Sequence, residues 1–389
     1  MVRLCRKKID ACIIELFSVT LPAEISIKKI NIMKHLILAI NPGSTSTKIA
    51  VFDQMQQVFL KNIKHSTEQL SVFGSIADQY DFRKNTILEE LKNNNINLDD
   101  IAIVMGRGGL VKPLTSGVYK VNDLMKRHLR EGYNGQHACN LGGLIADSIA
   151  KSIGLEEAYI ADPVVVDEFE EVARISGHPK FERLSIFHAL NQKAISRMYA
   201  NDNGKKYEDL NLIVAHMGGG VSVGAHKEGR VIDVNQALDG EGPFSPERSG
   251  TLPMNQIIDV CFSGKYTYEE VKKMIVGQGG YVAYFGINDA YAIEKAALEG
   301  DKKADLLEEA MAYQVAKYIG EAAVVLKGKV DAIILTGGIA YGVPVVNRIK
   351  KYISWIAPVA VYPGEDEMKA LAMNANMILD GEIQVKEYA

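Results

Sequence analysis

Two Gly-rich turns, each held between apolar runs, carry the residues best suited to chemistry in this chain. Residues 36–53 read LILAINPGSTSTKIAVFD, and residues 210–233 read LNLIVAHMGGGVSVGAHKEGRVID. A turn stripped of bulky side chains lets backbone N–H groups close on an anion. In the first turn Asn41, Ser44 and Ser46 could contact phosphate or a metal, with Lys48 as a point charge; the same residue types also make a plain hairpin. The second turn supplies His216 and the run Gly218, Gly219, Gly220. Neither turn is GxxxxGK[ST] or GxGxxG, so the pattern fits neither a P-loop nor a dinucleotide fingerprint. Arg107 follows an apolar run and is flanked by glycines, and Arg248 sits in PFSPERSGTLP. Either could be a solvated surface arginine; together they suit a transferring phosphoryl group, whose charge spreads over three oxygens. Asp162 ends AYIAD just before Pro163, where an acid can meet a metal or an attacking group, or cap a helix. His137 and His188 fall near the starts of predicted helices. HExxH and GxSxG are both missing, which argues against a zinc protease and a serine hydrolase. Glu365, Asp366 and Glu367 open another helix, where the dipole stabilises acids whatever their role.

These residues need elements to position them, and the sequence supplies strands and helices in alternation. The runs at 101–109, 157–165, 210–220 and 330–338 are short and β-branched and end in Gly, Asp or Pro-flanked turns. Between them lie helical stretches at 139–153 and 304–327. In the latter Leu307, Met311, Val315, Ile319, Ala322 and Leu326 share one face. That alternation predicts an α/β protein with helices over a mostly buried sheet, and functional groups at strand ends. Two similar strand–turn–strand segments in one chain predict a duplicated fold with a nucleotide between the halves.

Composition agrees with an ordinary soluble globular protein. The 389 residues are enough for two domains, with 47% apolar and 24% charged residues. A formal net charge of −4 gives no footprint for nucleic acid or an anionic membrane. Cys5, Cys12, Cys139 and Cys261 are scattered without metal spacing, as expected of reduced thiols in the cytoplasm. The first 32 residues have a basic start and an apolar stretch broken by Glu15. Met33 then opens MKHLILAINPG, so residues 1–32 are expected to be an extension outside the core.

Taken together, the segments NPGSTSTK (41–48), GRGGLVKP (106–113), GQHACNLG (135–142), ADPVVVDEF (161–169), IFHALNQKA (186–194), HMGGGVSVGAH (216–226), GEGPFSPERSGTLP (240–253) and LTGGIAYG (335–342) resemble the acetate kinase family of acyl-phosphate-forming kinases, and in particular its butyrate-type members. The resemblance runs over essentially all of 33–389. It implies the fold shared by actin, hexokinase and the heat-shock ATPases, two domains with duplicated ribonuclease H-like cores around a nucleotide cleft. The expected division is 33–163 with about 365–389 on the acyl and phosphate side, and 164–364 on the nucleotide side. The implied reaction is reversible phosphoryl transfer from ATP to butyrate with Mg²⁺. A branched or other short-chain acid is the nearest alternative, and a non-catalytic nucleotide sensor or an actin-like filament subunit the alternatives from other classes.

Residue roles follow from the same resemblance. Asn41, Ser44, Ser46 and Lys48 match the first phosphate loop, with Asn41 near the metal. Arg107 and Arg248 match the arginines around the carboxylate and phosphoryl group, His137 a histidine near the substrate, and His188 one that stabilises the transition state. Asp162 matches an acid that orients the carboxylate. His216, Gly218, Gly219 and Gly220 match the second phosphate loop, Gly337 and Gly338 the turn bordering adenosine, and Asp289 a nucleotide-side acid. Glu367 matches a metal-associated glutamate, with Asp366 one residue away. Acetate kinases carry Asn where this chain has Gly219, which shifts phosphate contact to backbone N–H groups. They carry Val near Gly108 and Gly109, and Pro near Gly240, so these glycines are expected to widen an acyl pocket. The family also implies a homo-oligomer, at least a dimer.

Overall fold

In β1 (Leu36–Pro42) Leu38 and Ile40 join one apolar cluster and Ile37 and Ala39 another, because successive side chains leave a strand on opposite faces. All four are buried, so the strand reads as a continuous apolar run rather than an alternating one. The computed structural model describes residues 35–389, and the expected 1–32 extension lies outside the described residues. After β1 the chain turns back twice through β2 (Ser46–Asp53) and β3 (Gln56–Lys64), both antiparallel. Strands β4 (Ile101–Arg107) and β6 (Tyr159–Ala161) add in parallel on the far side of β1, and β5 (Val118–Lys120) closes that edge. The sheet order is β3-β2-β1-β4-β6-β5.

A second sheet repeats this plan. Strands β7 (Asn211–Met217), β8 (Val221–Lys227) and β9 (Arg230–Val234) form an antiparallel meander. Strands β10 (Ala332–Gly337) and β11 (Val359–Pro363) lie parallel beside β7, in the order β11-β10-β7-β8-β9. Three antiparallel strands followed by parallel ones beside the first is the same core twice. The duplication predicted from the two Gly-rich hairpins is therefore present.

Helices cover both faces of each sheet. Asp301 caps helix Lys302–Val325 by accepting from the N–H groups of Lys303 and Ala304 at 2.8 and 3.1 Å. Its predicted face of Leu307, Met311, Val315, Ile319 and Ala322 is buried against Ile213, Ala215 and Ile333. Helix Glu367–Leu379 lays Met368, Leu371 and Ala375 on the first sheet, beside Ile37, Ala39 and Met105. Helix Ala189–Asp202 touches both sheets: Leu190 and Ala194 join that cluster, and Ala200 packs with Leu212, Val214 and Ile334 of the second sheet. Among the described residues no helix is long and apolar enough to cross a membrane.

Candidate active site

The carboxyl ends of β1 and β4 lie side by side, as do those of β7 and β10, and these ends carry the chemistry. Asn41 and Arg107 emerge from the first pair, His216 and Gly337 from the second. Arg107 Nη1 donates to Glu367 Oε2 at 2.8 Å and to Asn41 Oδ1 at 3.3 Å, while Asn41 Nδ2 donates to the same Glu367 oxygen. Burial works against the Arg107 charge, but Glu367, Cys139 and Glu365 more than offset it and hold the guanidinium more firmly charged than usual. Asp366, one residue earlier, caps helix Glu367–Leu379 by accepting from Lys369 N–H at 2.9 Å. Of the two acids, it is therefore Glu367 that reaches Asn41 and Arg107.

A cavity of about 350 Å³ opens beside Arg107. His137, His188 and Arg248 also line it, with an apolar wall of Leu110, Val164, Ile186, Phe187 and Leu238. Arg248 donates from Nη1 to Ala237 O at 2.6 Å, and its Nε is buried without a partner. Burial pulls the Arg248 pKa down. Burial, then Arg107 and Arg248, also lowers that of His137. His188 stacks on His216 with ring centroids 3.8 Å apart, and burial, His216, Arg248 and Arg107 together hold it well below the ordinary histidine range. His216 bonds through Nδ1 to Asn191 Oδ1 at 2.8 Å; its Nε2 lies 3.2 Å from Glu365 Oε1, out of line for a hydrogen bond, and stays unpaired. Four charged or polar groups and an apolar wall in one hollow suit a short acid whose carboxylate meets a phosphoryl group.

The turn between β7 and β8 lies against Arg248, which lines this cavity, and beside Gly337, whose neighbour Gly338 lines a second one. A Cβ on Gly220 would lie 2.0 Å from Arg248 Nη1, and one on Gly218 2.1 Å from Glu365 Oε1, so only glycine lets these side chains sit against the turn. Gly219 is clear of such contact, and its carbonyl accepts from Ser245 Oγ at 2.6 Å. On the other side, a Cβ on Gly337 would strike the Met217 backbone at 2.3 Å, and Gly337 has φ +88. Gly338 then lines the second cavity, about 420 Å³, with Asp289, Glu294, Ile339, Tyr341 and Gly342. Asp289 is also the cap of helix Ala290–Leu298, accepting from Tyr291 and Ala292 N–H.

The first Gly-rich turn is built differently from what its sequence advertises. Gly43 N–H bonds to Ser46 O at 2.8 Å, closing the hairpin. From below, the fully buried Arg83 donates to the carbonyls of Gly43, Ser44 and Ser46 at 2.8, 3.0 and 2.9 Å, and to Thr47 Oγ1 at 3.0 Å. Gln79 Oε1 holds the other edge of the guanidinium. With its carbonyls turned down onto Arg83, the turn is kept in one shape with Ser44 exposed at its tip. Lys48, on β2 opposite Asn41, lines a separate cavity with Glu365, Asp366 and Lys369.

Three residues lie apart from the hollow that the sequence reading gave them. Asp162, at φ +36, is buried and committed elsewhere. It accepts from Ser116 Oγ at 2.6 Å, Gly117 N–H at 2.8 Å and Arg197 Nη1 at 3.3 Å. A Cβ on Gly109 would meet Asn140 and Leu129, because this backbone is pressed against helix Asn140–Ser152. Gly240, at φ +87, faces Ile275. The wall of the acyl-sized hollow is formed instead by Leu110, Val164, Ile186 and Leu238. Arg83 had no signal in the sequence, being one of several charged residues in a polar helix.

The acetokinase family model matches residues 183–352. Butyrate kinase 2 of Clostridium acetobutylicum is 57% identical over 356 residues, which is 92% of this chain and 100% of the relative. Butyrate kinase 1 of the same organism is 58% identical, over 91% and 99%. A probable butyrate kinase of Bacteroides thetaiotaomicron is 56% identical, over 90% and 99%. Among solved structures, an acetate kinase of Porphyromonas gingivalis superposes with a TM-score of 0.71 at 17% identity, covering 88% of this chain and 99% of that one. A propionate kinase of Francisella tularensis gives 0.69 at 19%, over 87% and 98%. The solved structures share the fold, the curated relatives share the sequence from end to end of their own length, and on that ground the chain belongs to the butyrate kinases of the acetokinase family.

Proposed function

We propose that the protein transfers the γ-phosphoryl group of ATP reversibly to the carboxylate of butyrate, giving butyryl phosphate and ADP. The observation that carries this reading is the hollow where Arg107, His137, His188 and Arg248 face an apolar wall, next to a glycine turn leading to the second cavity. In a chain more than half identical to butyrate kinases, that arrangement fits an acyl site joined to a nucleotide site.

A carboxylic acid with a pKa near 4–5 is ionised at neutral pH, so its oxygen can attack without a general base. A carboxylate oxygen bonds to the γ-phosphorus, the bond to the β–γ bridging oxygen breaks, and ADP leaves with that electron pair. Arg107 and Arg248 neutralise charge on the carboxylate and the phosphoryl oxygens, and His188 adds a hydrogen-bond donor. With Gly218 and Gly43 N–H closing their own turns, the glycine turn at 219–220 and the Arg83-held turn at 44–45 offer backbone N–H groups to the phosphates. Asp289 and Gly338 border the nucleoside end. Asp162 holds backbone and side chains in place rather than meeting the substrate, since its oxygens are spent on Ser116, Gly117 and Arg197.

We read Asn41 and Glu367 as the protein's share of a Mg²⁺ site. Both offer hard oxygen donors, and Mg²⁺ is held with a nucleotide by one or two carboxylates plus phosphate and water. Among the described residues no group of three His, Cys, Asp or Glu could cage a metal alone, so the other ligands must come from the nucleotide and water. Bound there, the ion would neutralise charge on the β- and γ-phosphates. The same reading makes the enzyme a cytoplasmic homo-oligomer, with the residue spans 33–163 plus about 365–389 and 164–364 as its two working halves. The exposed apolar row Met254, Ile258 and Phe262 on helix Met254–Phe262 is a surface a second copy could cover.

Acyl phosphate trapped as hydroxamate, with ATP and Mg²⁺ against acetate, propionate, butyrate, isobutyrate and valerate, tests the assignment. A maximum at butyrate is the expected result. A maximum at another acid would keep the chemistry and move the substrate, and no product with any acid would overturn the kinase reading.

A further inference from the structure

We propose that a one-way chain of buried hydrogen bonds, running Tyr207–His226–Gln192–Ser222–His188, fixes His188 as the tautomer that carries its proton on Nε2, on the side away from the chain. The inference rests on the phosphoryl-transfer reading of the cavity that His188 lines, and gives that site a neutral hydrogen-bond donor set before the substrate arrives.

The direction of the chain follows from Gln192, which is fully buried. Its Nε2 lies 3.1 Å from the backbone oxygen of Ser222, and a carbonyl can only accept, so the amide nitrogen must be on that side. The same Nε2 lies 2.8 Å from Ser222 Oγ and donates its second proton there. The Gln192 oxygen, on the opposite side, is 2.9 Å from His226 Nε2, so that nitrogen carries a proton. Burial, then Lys193 and Arg197, keeps the His226 pKa far below its usual range. Its Nδ1 is therefore a bare acceptor, and Tyr207 Oη donates to it at 2.6 Å. Ser196 Oγ lies 3.3 Å from the same nitrogen but has its proton engaged by Gln192 O at 2.7 Å.

At the other end Ser222, also fully buried, has accepted from Gln192 and has one proton left to give. Its remaining partner is His188 Nδ1 at 2.9 Å. If His188 carried its proton on Nδ1 instead, Ser222 would hold a buried donor with no acceptor among the described residues, an arrangement folded proteins avoid. Nδ1 of His188 therefore accepts, and Nε2 keeps the proton. Every member from Tyr207 to Ser222 is buried, and His188 alone reaches the cavity. A chain whose bonds all point one way polarises each successive donor. Ser222 and Gln192 are on this account positioning residues. Gln192 belongs to the first turn of the helix that starts immediately after His188, so the ring and the group that orients its partner are built together.

Long-range ¹H–¹⁵N correlation on protein labelled at histidine nitrogen reads the tautomer directly, with His188 assigned by loss of its signals in His188→Gln. The expected spectrum has a protonated Nε2 and an unprotonated Nδ1 for both His188 and His226 at neutral pH. A protonated Nδ1 on His188, or both of its nitrogens protonated, would overturn the proposal whatever the kinetics of the Ser222 variants. In kinetics Ser222→Ala should lower kcat by about tenfold or more with KM for ATP and acid within about twofold, as loss of a preorganised transition-state donor does. Ser222→Thr, which keeps the hydroxyl, should recover part of that loss. An unchanged kcat in Ser222→Ala would overturn the role given to the chain. Wild-type protein that makes no acyl phosphate, yet shows the expected tautomer, would strike the functional reading and leave the hydrogen-bond direction standing.

Discussion

Arg248 commits Nη1 to Ala237 O and leaves Nε buried and unpaired, in a hollow that also holds Arg107. An orphaned buried guanidinium nitrogen costs stability unless something binds it, and a phosphoryl or carboxylate oxygen is what matches its geometry. Arg248→Ala should therefore lower kcat by about 10²–10³ while leaving the circular dichroism and thermal midpoint near wild type. Arg248→Lys should recover little, since a shorter, compact ammonium lacks the planar fork that spans Ala237 O and a ligand's two oxygens. Near-normal turnover in Arg248→Ala would remove the residue from the site. At this scale the sequence was readable where a side chain stands at a strand end, in a Pro- and Gly-rich loop or near a helix start: Arg107, Arg248, His137 and His188 do converge. It was less readable for Asp162, whose strand-end position is genuine but whose side chain is turned inward by Ser116, Gly117 and Arg197. Gly109 and Gly240 show the same limit. Glycine leaves space that the backbone of a neighbouring element can fill, and composition alone does not say which side of the chain that space lies on.

A hairpin turn of Asn, Gly and Ser has many accessible shapes, and what selects one here is a helix distant in sequence. Arg83 belongs to helix Tyr80–Asn93, and its Nη atoms fasten the Gly43, Ser44 and Ser46 carbonyls of the turn. On the proposed function, that fixed shape is what presents the turn to a phosphate. Arg83→Met would leave the Gly43 and Ser44 carbonyls without their side-chain donor and the Ser46 carbonyl with Gly43 N–H alone. Partial solvation of the turn should limit the loss to about 2–4 kcal/mol, read by denaturant unfolding. The functional expectation is sharper. KM for ATP should rise about tenfold, and Arg83→Lys, with one donor group in place of the fork, should restore stability better than nucleotide affinity. A variant with lowered stability but unaltered KM would reduce Arg83 to a structural role. The turn itself was legible from its small residues and flanking apolar runs. Its anchor was not, because a buried arginine in a helix rich in charged residues looks in sequence like any solvated one.

Each half of the molecule holds an incomplete set of groups. Asn41, Arg107 and Glu367 are tied to one another beside the first sheet, while Gly220 and Arg248 belong to the loops of the second. The duplication was legible because each copy had to encode the same strand–turn–strand unit. How helices Ala189–Asp202 and Glu367–Leu379 share the apolar cluster between the sheets was not, since both carry apolar residues on more than one face. On the two-domain reading proposed above, helix Ala189–Asp202, which packs on both sheets, is the support about which the halves would close. Closure has a chemical motive as well: an acyl phosphate is open to hydrolysis, and a hollow lined by Leu110, Val164, Ile186 and Leu238 protects it only if water is kept out. ATP analogue and butyrate together should therefore reduce the radius of gyration in small-angle scattering more than either alone, because only the pair bridges Arg107 and Arg248. If the nucleotide alone produced the whole change, the acid would be entering a hollow already formed, and exclusion of water would have to come from the acyl chain itself.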